Sequence, residues 1–340
     1  MSHVALDPST GVRADGTRSD VAIDVIDLVK QFGHNRALNG VTFQVPRGSV
    51  FGVIGPNGAG KTTIMRALLD IIRPTSGQAT VLGTPSRNAG PDLRRRIGYL
   101  PGELILEGRT SGRRLLAHYA DISGPVQAGH VHELAERLGL DLDRQVRKLS
   151  KGNKQKLGIV QAFMHQPELL VLDEPTSGLD PLMQQEFLTM VREAQSRGQT
   201  VFLSSHVISE IQQAADEVAI LRDGRIVTIN TVDELRSTAI RHLRLVASGI
   251  RPTDLAAVLG ALEGVTTLEC TLTPAGDAEA VATLSGEIAP FVQAISTLQL
   301  KDLMLEEPDL EESVLKLYSA PAHTSSPSSP PSSPPRDVTT

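Results

Sequence analysis

Aromatic residues are scarce: there is no tryptophan, and with seven phenylalanines and three tyrosines the aromatic share of the 340 residues is only 3%. Interior volume must therefore come from Leu, Ile, Val and Ala. Cysteine is nearly absent too. The lone Cys270 excludes an internal disulfide, and its apolar, strand-like surroundings suggest a buried small hydrophobe. No stretch approaches the roughly 20 apolar residues of a membrane helix, and the N-terminal MSHVALDPSTGVRADG lacks a signal-peptide core. The chain is thus expected to be cytosolic by itself and to reach a membrane only through a partner. Nor is there an excess of positive charge. A formal net charge of -6 and a pI near 5.9 argue against a broad nucleic-acid-binding surface.

What remains is enough for one large domain and a smaller one, since 40% of the residues are hydrophobic and 21% charged. Residues 1–20 are polar and rich in Gly, Asp and Thr, and residues 320–340 are Ser/Pro low complexity. Both are expected to be disordered, because they cannot bury enough apolar surface to offset the entropy of ordering. Between them, short apolar runs alternate with helical patterns, which indicates α/β architecture around a largely parallel sheet. The strand-like runs are Val21 to Leu28, Val41 to Val45, Val50 to Ile54, Leu169 to Leu172, Val201 to Leu203 and Val218 to Leu221. Residues 102–166 read instead as helices and loops inserted into that domain, which spans 21–238. From 239 to 319 the order is β-α-β-β-α-β, a small α+β domain of ferredoxin-like type. A last helix is expected over Leu310 to Tyr318, with Asp309 and Glu312 at capping-box spacing.

The strongest motif lies where the run Val50 to Ile54 ends. Gly55, Pro56, Asn57, Gly58, Ala59, Gly60, Lys61, Thr62 and Thr63 form a complete G-x-x-x-x-G-K-T loop between a strand and a helix. Its glycines let backbone N–H groups approach phosphate oxygens, Lys61 can reach β and γ phosphates, and Thr62 can ligate Mg²⁺. The apolar positions Ile64, Met65, Leu68, Leu69 and Ile72 recur at helical spacing, so the helix is expected to start at the lysine. ATP and Mg²⁺ are the implied cofactors.

Downstream, LLVLDEP ends a second buried strand in two acids. Asp173 is the metal-side candidate, and Glu174 the candidate base for an attacking water. Three segments follow a related logic. Leu149-Ser150-Lys151-Gly152-Asn153 places Ser and Gly at a helix start, which is either an ordinary cap or a second anion seat. In SGLDP, Asp180 precedes Pro181 and could equally be a cap. TVFLSSH sets His206 just beyond a strand.

In this order and spacing, the phosphate loop, LSKGN, LVLDEP, SGLD and SSH resemble the ATP-binding subunits of ABC transporters over about residues 22–235, with phrasing closest to the drug- and polymer-exporting branch. The resemblance implies a P-loop NTPase fold with an antiparallel β subdomain and a helical insertion. It implies that Phe32 stacks on adenine, that Ser150 and Gly152 meet the γ-phosphate held by a partner's phosphate loop, that Asp180 lies at the dimer interface, and that His206 senses the γ-phosphate beside Glu174. Lys61, Glu174 and His206 are then the hydrolytic set. With one phosphate loop and one signature, the chain needs a second copy of itself or a related ATPase subunit, and a separate integral-membrane permease must supply the translocation path. Peripheral placement on the inner face of the cell membrane follows from that partner.

Two departures stand out. Lys151 and Asn153 flank Gly152 where the family writes a second glycine and a glutamine. After IGYLP, where a Gln or Glu joins metal to permease, the chain has Gly102, with the acid one place later at Glu103, the candidate third metal-side residue. A soluble ABC-type ATPase acting on nucleic acid, ribosomes or cofactor assembly is the alternative reading, opposed by the acidic balance and the single nucleotide site; no nucleic-acid partner is expected. An import ATPase is a second alternative, disfavoured because its additional domain is often a β-barrel.

Overall fold

The computed structural model describes residues 20–238 and 240–306. Strands β1 (Val21–Phe32) and β2 (Asn35–Pro46) form a hairpin, followed by β3 (Val50–Ile54) and α1 (Lys61–Leu68). Then come β4 (Ser76–Val81), β5 (Thr84–Pro85), α2 (Pro91–Arg95) and β6 (Ile97–Leu100). The helical stretch contains α3 (Gly112–Ser123), α4 (His130–Arg137) and α5 (Lys151–Phe163). The chain re-enters the sheet with β7 (Leu169–Asp173), α6 (Pro181–Ser196), β8 (Thr200–Ser205), α7 (Ile208–Ala214), β9 (Glu217–Arg222), β10 (Arg225–Thr231) and α8 (Val232–Thr238). Last are β11 (Arg241–Ser248), α9 (Pro252–Gly260), β12 (Val265–Leu272), β13 (Ala278–Leu284), α10 (Ile288–Ile295) and β14 (Gln299–Leu305).

The central sheet has the order β10-β9-β3-β8-β7-β6. Its pairs are parallel apart from the β9–β10 hairpin at one edge. Strands β3, β7 and β8 are buried at every position, as strands covered on both faces must be, which is why they read as unbroken apolar runs. A second sheet, β2-β1-β4-β5, is antiparallel. All six expected runs are strands, yet the first two belong to this antiparallel sheet and not to the parallel one. Burial on one face only gives β2 its alternating pattern.

Four strands escape a reading by apolar runs. In β6, Gly98 interrupts the run because a Cβ there would stand 2.1 Å from the Ala162 carbonyl oxygen of α5. β10 is an edge strand alternating between half-buried and exposed positions, the short β5 is the edge of the antiparallel sheet, and β4 beside it starts with three exposed residues. The helix after the phosphate loop does start at Lys61 but stops at Leu68, so Leu69 and Ile72 pack from the following turns.

Two apolar clusters occupy the larger part of the chain. One fills the space between the antiparallel sheet, α1 and the central sheet, where Phe43, Phe51 and Phe202 stack with centroids 5.6 to 6.0 Å apart. The other lies between the central sheet and helices α3 to α7. A third cluster is confined to residues beyond 240. There the sheet order is β12-β13-β11-β14 with antiparallel neighbours, and Leu255, Leu259, Phe291 and Ile295 of α9 and α10 pack with Leu243, Leu245, Ala280 and Leu284. Cys270 is half-buried against this core rather than fully inside it. The expected helix over Leu310 to Tyr318 and the terminal segments 1–19 and 320–340 lie outside the described residues.

Candidate active site

Strand order decides where the motifs meet. In the central sheet β3, β8, β7 and β6 are consecutive neighbours, all running the same way, so their carboxyl ends lie side by side. The phosphate loop leaves β3, His206 follows β8, Asp173 and Glu174 end β7, and Pro101-Gly102 follow β6. The carboxyl edge of an open parallel sheet is where such folds bind ligands.

Residues Pro56 to Thr63 and Glu174 line one pocket there. Gly60 caps α1 at φ 113, and a Cβ on it would come within 2.8 Å of the Ala37 carbonyl oxygen and of Leu38; only glycine meets both demands. The amide groups of Lys61, Thr62 and Thr63 open α1, so no preceding helical carbonyl is available to them and they are free to bind an anion. Lys61 is 6% exposed, and its ammonium donates to the Gly55 carbonyl at 2.5 Å and lies 3.2 Å from Glu174 Oε1. A buried ammonium needs such partners.

The two acids are separated as strand alternation demands. Asp173 is fully buried, with Oδ2 accepting from Thr62 Oγ1 at 2.7 Å and Oδ1 accepting from Ser204 Oγ at 2.7 Å. A hydroxyl and a carboxylate oxygen in contact form the hard-oxygen pair that Mg²⁺ takes when phosphates and water complete its shell, so the residues fit that ion. Tyr99 stands near; burial first, then the Asp173 charge, pushes its phenol up and keeps it neutral.

Glu174 points the other way. It adopts φ 47, a left-handed conformation costing about 1–2 kcal/mol for a residue with a Cβ, and its neighbours hold it there. Ser204 Oγ accepts its N–H at 3.1 Å, while its carbonyl accepts from Gln155 Nε2 at 3.3 Å and from the Ser177 N–H at 3.1 Å. Its Oε2 lies 2.5 Å from His206 Nδ1; because a carboxylate only accepts, Nδ1 carries the proton. Its Oε1, buried beside Lys61, takes no hydrogen bond from any described protein donor. Apart from the Lys61 ion pair, that oxygen is available to accept a proton, as a base requires.

A family model described as ABC transporter matches residues 38–177. A daunorubicin resistance ATP-binding protein from Streptomyces coeruleorubidus is 34% identical over 306 residues, which cover 88% of this chain and 96% of that protein. The chain belongs to the ATP-binding subunits of ABC transporters. A bacitracin transport ATP-binding protein from Bacillus licheniformis is 37% identical over 224 residues, 65% of this chain and 73% of the relative. Among solved structures, the ATP-binding subunit of an ABC transporter aligns with a TM-score of 0.60 at 30% identity, over 63% of this chain and 92% of its own. The dimeric structure of a bacterial ABC transporter cassette shares the fold at 19% identity with a TM-score of 0.56, covering 62% and 98% of the two chains. The protein binds and hydrolyses ATP as such a subunit.

For an ABC subunit, the remaining motif residues lie apart from the phosphate pocket. Ser150 caps α5, accepting from the Asn153 N–H at 3.2 Å, and Asp180 caps α6, accepting from the Met183 N–H at 3.1 Å. Neither they nor Gly152 line the pocket of their own chain. Gly152 packs on the next motif, since a Cβ would approach the Gly178 carbonyl oxygen to 2.7 Å. Phe32 is 48% exposed at the end of β1, with the Lys30 ammonium 4.7 Å from its ring centroid.

Glu103 follows Gly102 in the loop after β6. It is exposed, and it is Gly102 that abuts Asp173, where a Cβ would lie 3.0 Å from Oδ2. Gly102 thus brings backbone, and no side chain, beside the metal-side carboxylate. Among the described residues no His, Cys, Asp and Glu cluster of three or more forms a further metal site, and no helix is long and apolar enough to cross a membrane. Ser204, Ser205 and Gln155 went unread in the sequence; the paired serines ahead of His206 were the available signal.

Proposed function

We propose that the chain powers export: two ATPase subunits, identical or related, close on two ATP molecules and drive a separate membrane permease. The observation that carries this reading is the continuous line from Lys61 through Glu174 to His206, set beside the Thr62–Asp173 pair at adjacent strand ends. Thr62 and Asp173 would hold Mg²⁺, whose charge would neutralise the phosphates. Lys61 exchanges its carbonyl and carboxylate partners for phosphate oxygens, which frees Glu174. Glu174 takes a proton from the water through Oε1 as the water oxygen bonds the γ-phosphorus and the bond from that phosphorus to the departing ADP oxygen breaks, and His206 fixes the carboxylate through Oε2. Phe32 stacks on adenine, and Ser150, Gly152 and Asp180 face the partner subunit.

Exporter names among the relatives, bacitracin transport, daunorubicin resistance and Nod factor export, support a drug-like, lipid or polymer substrate. A cassette of this fold solved as a dimer supports the two-subunit clamp, with the subunit peripheral to the inner face of the membrane. The strand order of the sheet beyond residue 240 supports a ferredoxin-like accessory domain over 239–319, following the ATPase domain of 21–238. Co-purification tests the transport reading. A tagged chain is expected to retain a polytopic membrane protein, and recovery of ribosomes or nucleic acid alone would overturn it.

A further inference from the structure

Behind the active-site loops lies a carboxylate with no part in the chemistry above. Glu210, in α7, is 8% exposed. Its Oε2 accepts from Thr176 Oγ1 at 2.8 Å and from Ser205 Oγ at 2.7 Å, and these two hydroxyl residues are 5% and 0% exposed. Thr176 lies two residues beyond Glu174 in the loop that leaves β7, and Ser205 immediately precedes His206 at the end of β8. Ser205 Oγ also accepts the Val207 N–H at 2.9 Å, so the turn is tied down on both sides of His206.

We propose that Glu210 is a positioning residue for hydrolysis, clamping the loop that carries Glu174 to the loop that carries His206. Backbone pairing between β7 and β8 ends at Asp173 and Ser204. Beyond it Glu174 turns away at φ 47, and no ladder holds the two loops in register. One carboxylate oxygen shared by a hydroxyl from each loop restores that connection. Hydroxyl hydrogen bonds to a carboxylate are roughly twice as strong as neutral ones. Burying a carboxylate is costly where a well-packed apolar side chain would serve stability as well or better, so the use of an acid here points to geometry. The geometry it fixes is the Glu174–His206 contact of 2.5 Å. A misplacement of about 1 Å in such a contact costs on the order of 100-fold in rate.

This inference rests on the hydrolytic reading of Glu174 and His206, and the test separates the two. The full chain carrying Glu210→Gln, with Thr176→Val/Ser205→Ala, Glu174→Gln and His206→Ala in parallel, is assayed for kcat, for KM of ATP and for thermal midpoint, with rates normalised to the fraction that binds a fluorescent ATP analogue. Glu210→Gln keeps the shape and one acceptor but loses the charge. It is expected to lower kcat about 10-fold with KM changed less than about 2-fold. Added to His206→Ala it is expected to lower kcat by less than about 2-fold further, because both act through one contact. Glu210→Asp, a charge on a shorter arm, should recover part of the rate. A parental kcat in Glu210→Gln beside an inactive Glu174→Gln overturns the clamp and leaves the hydrolytic reading standing. A lowered thermal midpoint with unchanged kcat per binding-competent molecule also overturns it, as a structural role alone. A parental rate in Glu174→Gln overturns the reading beneath.

Discussion

Among the seven phenylalanines, Phe43, Phe51, Phe163, Phe187, Phe202 and Phe291 are each no more than 4% exposed, whereas Phe32 is 48% exposed. This one exposed ring, at the end of β1, is the one proposed above to stack on adenine. Phe32→Ala is expected to raise the KM for ATP about 10-fold, since base–aromatic stacking contributes about 1–3 kcal/mol, with kcat little changed; steady-state kinetics check it. Lys61→Ala should abolish productive ATP binding, measured by nucleotide titration, because the pocket then lacks its only cation among the described lining residues. At this scale the sequence was informative wherever function is written contiguously, as in Gly55 to Thr63 or Asp173-Glu174. It was silent on the contact of Glu210 with Thr176 and Ser205, which joins residues up to 34 positions apart. Such a contact leaves no local pattern. Glu103 shows the converse limit: a one-residue shift in a loop can be seen in sequence, but which residue then faces Asp173 depends on backbone geometry.

Buried strands and capped helices were legible because burial on both faces erases polar residues and because Ser150 and Asp180 precede their helices at capping spacing. Edge strands were not, since half-exposed β10 and the glycine-broken β6 imitate loops. The Phe43, Phe51 and Phe202 stack joins β2 of the antiparallel sheet to β3 and β8 of the central one. Phe202→Ala is expected to destabilise the domain by about 3–5 kcal/mol, read by denaturant unfolding. The helical segment is tied down by Arg137 of α4, which donates to Glu186 at 2.7 Å and to Glu193 at 2.7 and 3.0 Å, both on α6. Its guanidinium holds the Glu193 carboxyl below the usual range, against a smaller opposing effect of burial. A carboxyl lowered in the folded state adds stability above its unfolded pKa of about 4.3 and loses it as pH falls through the lowered folded value. Glu193→Gln should therefore flatten the decline in thermal midpoint below about pH 4.3, while reducing the midpoint at neutral pH only slightly, because the pair is partly exposed. Two further arginines are tied to carboxylates in the same way: Arg96 is paired with Glu168 and Arg113 with Asp143.

In the proposed clamp, each chain supplies half of each site. Its own pocket closes over the phosphate loop and Glu174, while Ser150, Gly152 and Asp180 sit on helix starts outside that pocket. Below residue 238 the apolar clusters serve the ATPase domain; beyond 240 a separate cluster serves the last sheet. A chain ending at residue 238 is accordingly expected to keep a cooperative unfolding transition, followed by circular dichroism. The central claim is that ATP closes two such subunits face to face and that Glu174 opens them by hydrolysis. Sedimentation velocity of Glu174→Gln with and without Mg-ATP tests it directly. The account predicts a monomer without nucleotide and a dimer of twice the mass, retaining unhydrolysed ATP, once Mg-ATP is added. A variant that stays monomeric while bound to ATP, or one that converts ATP to ADP at the parental rate, would contradict it.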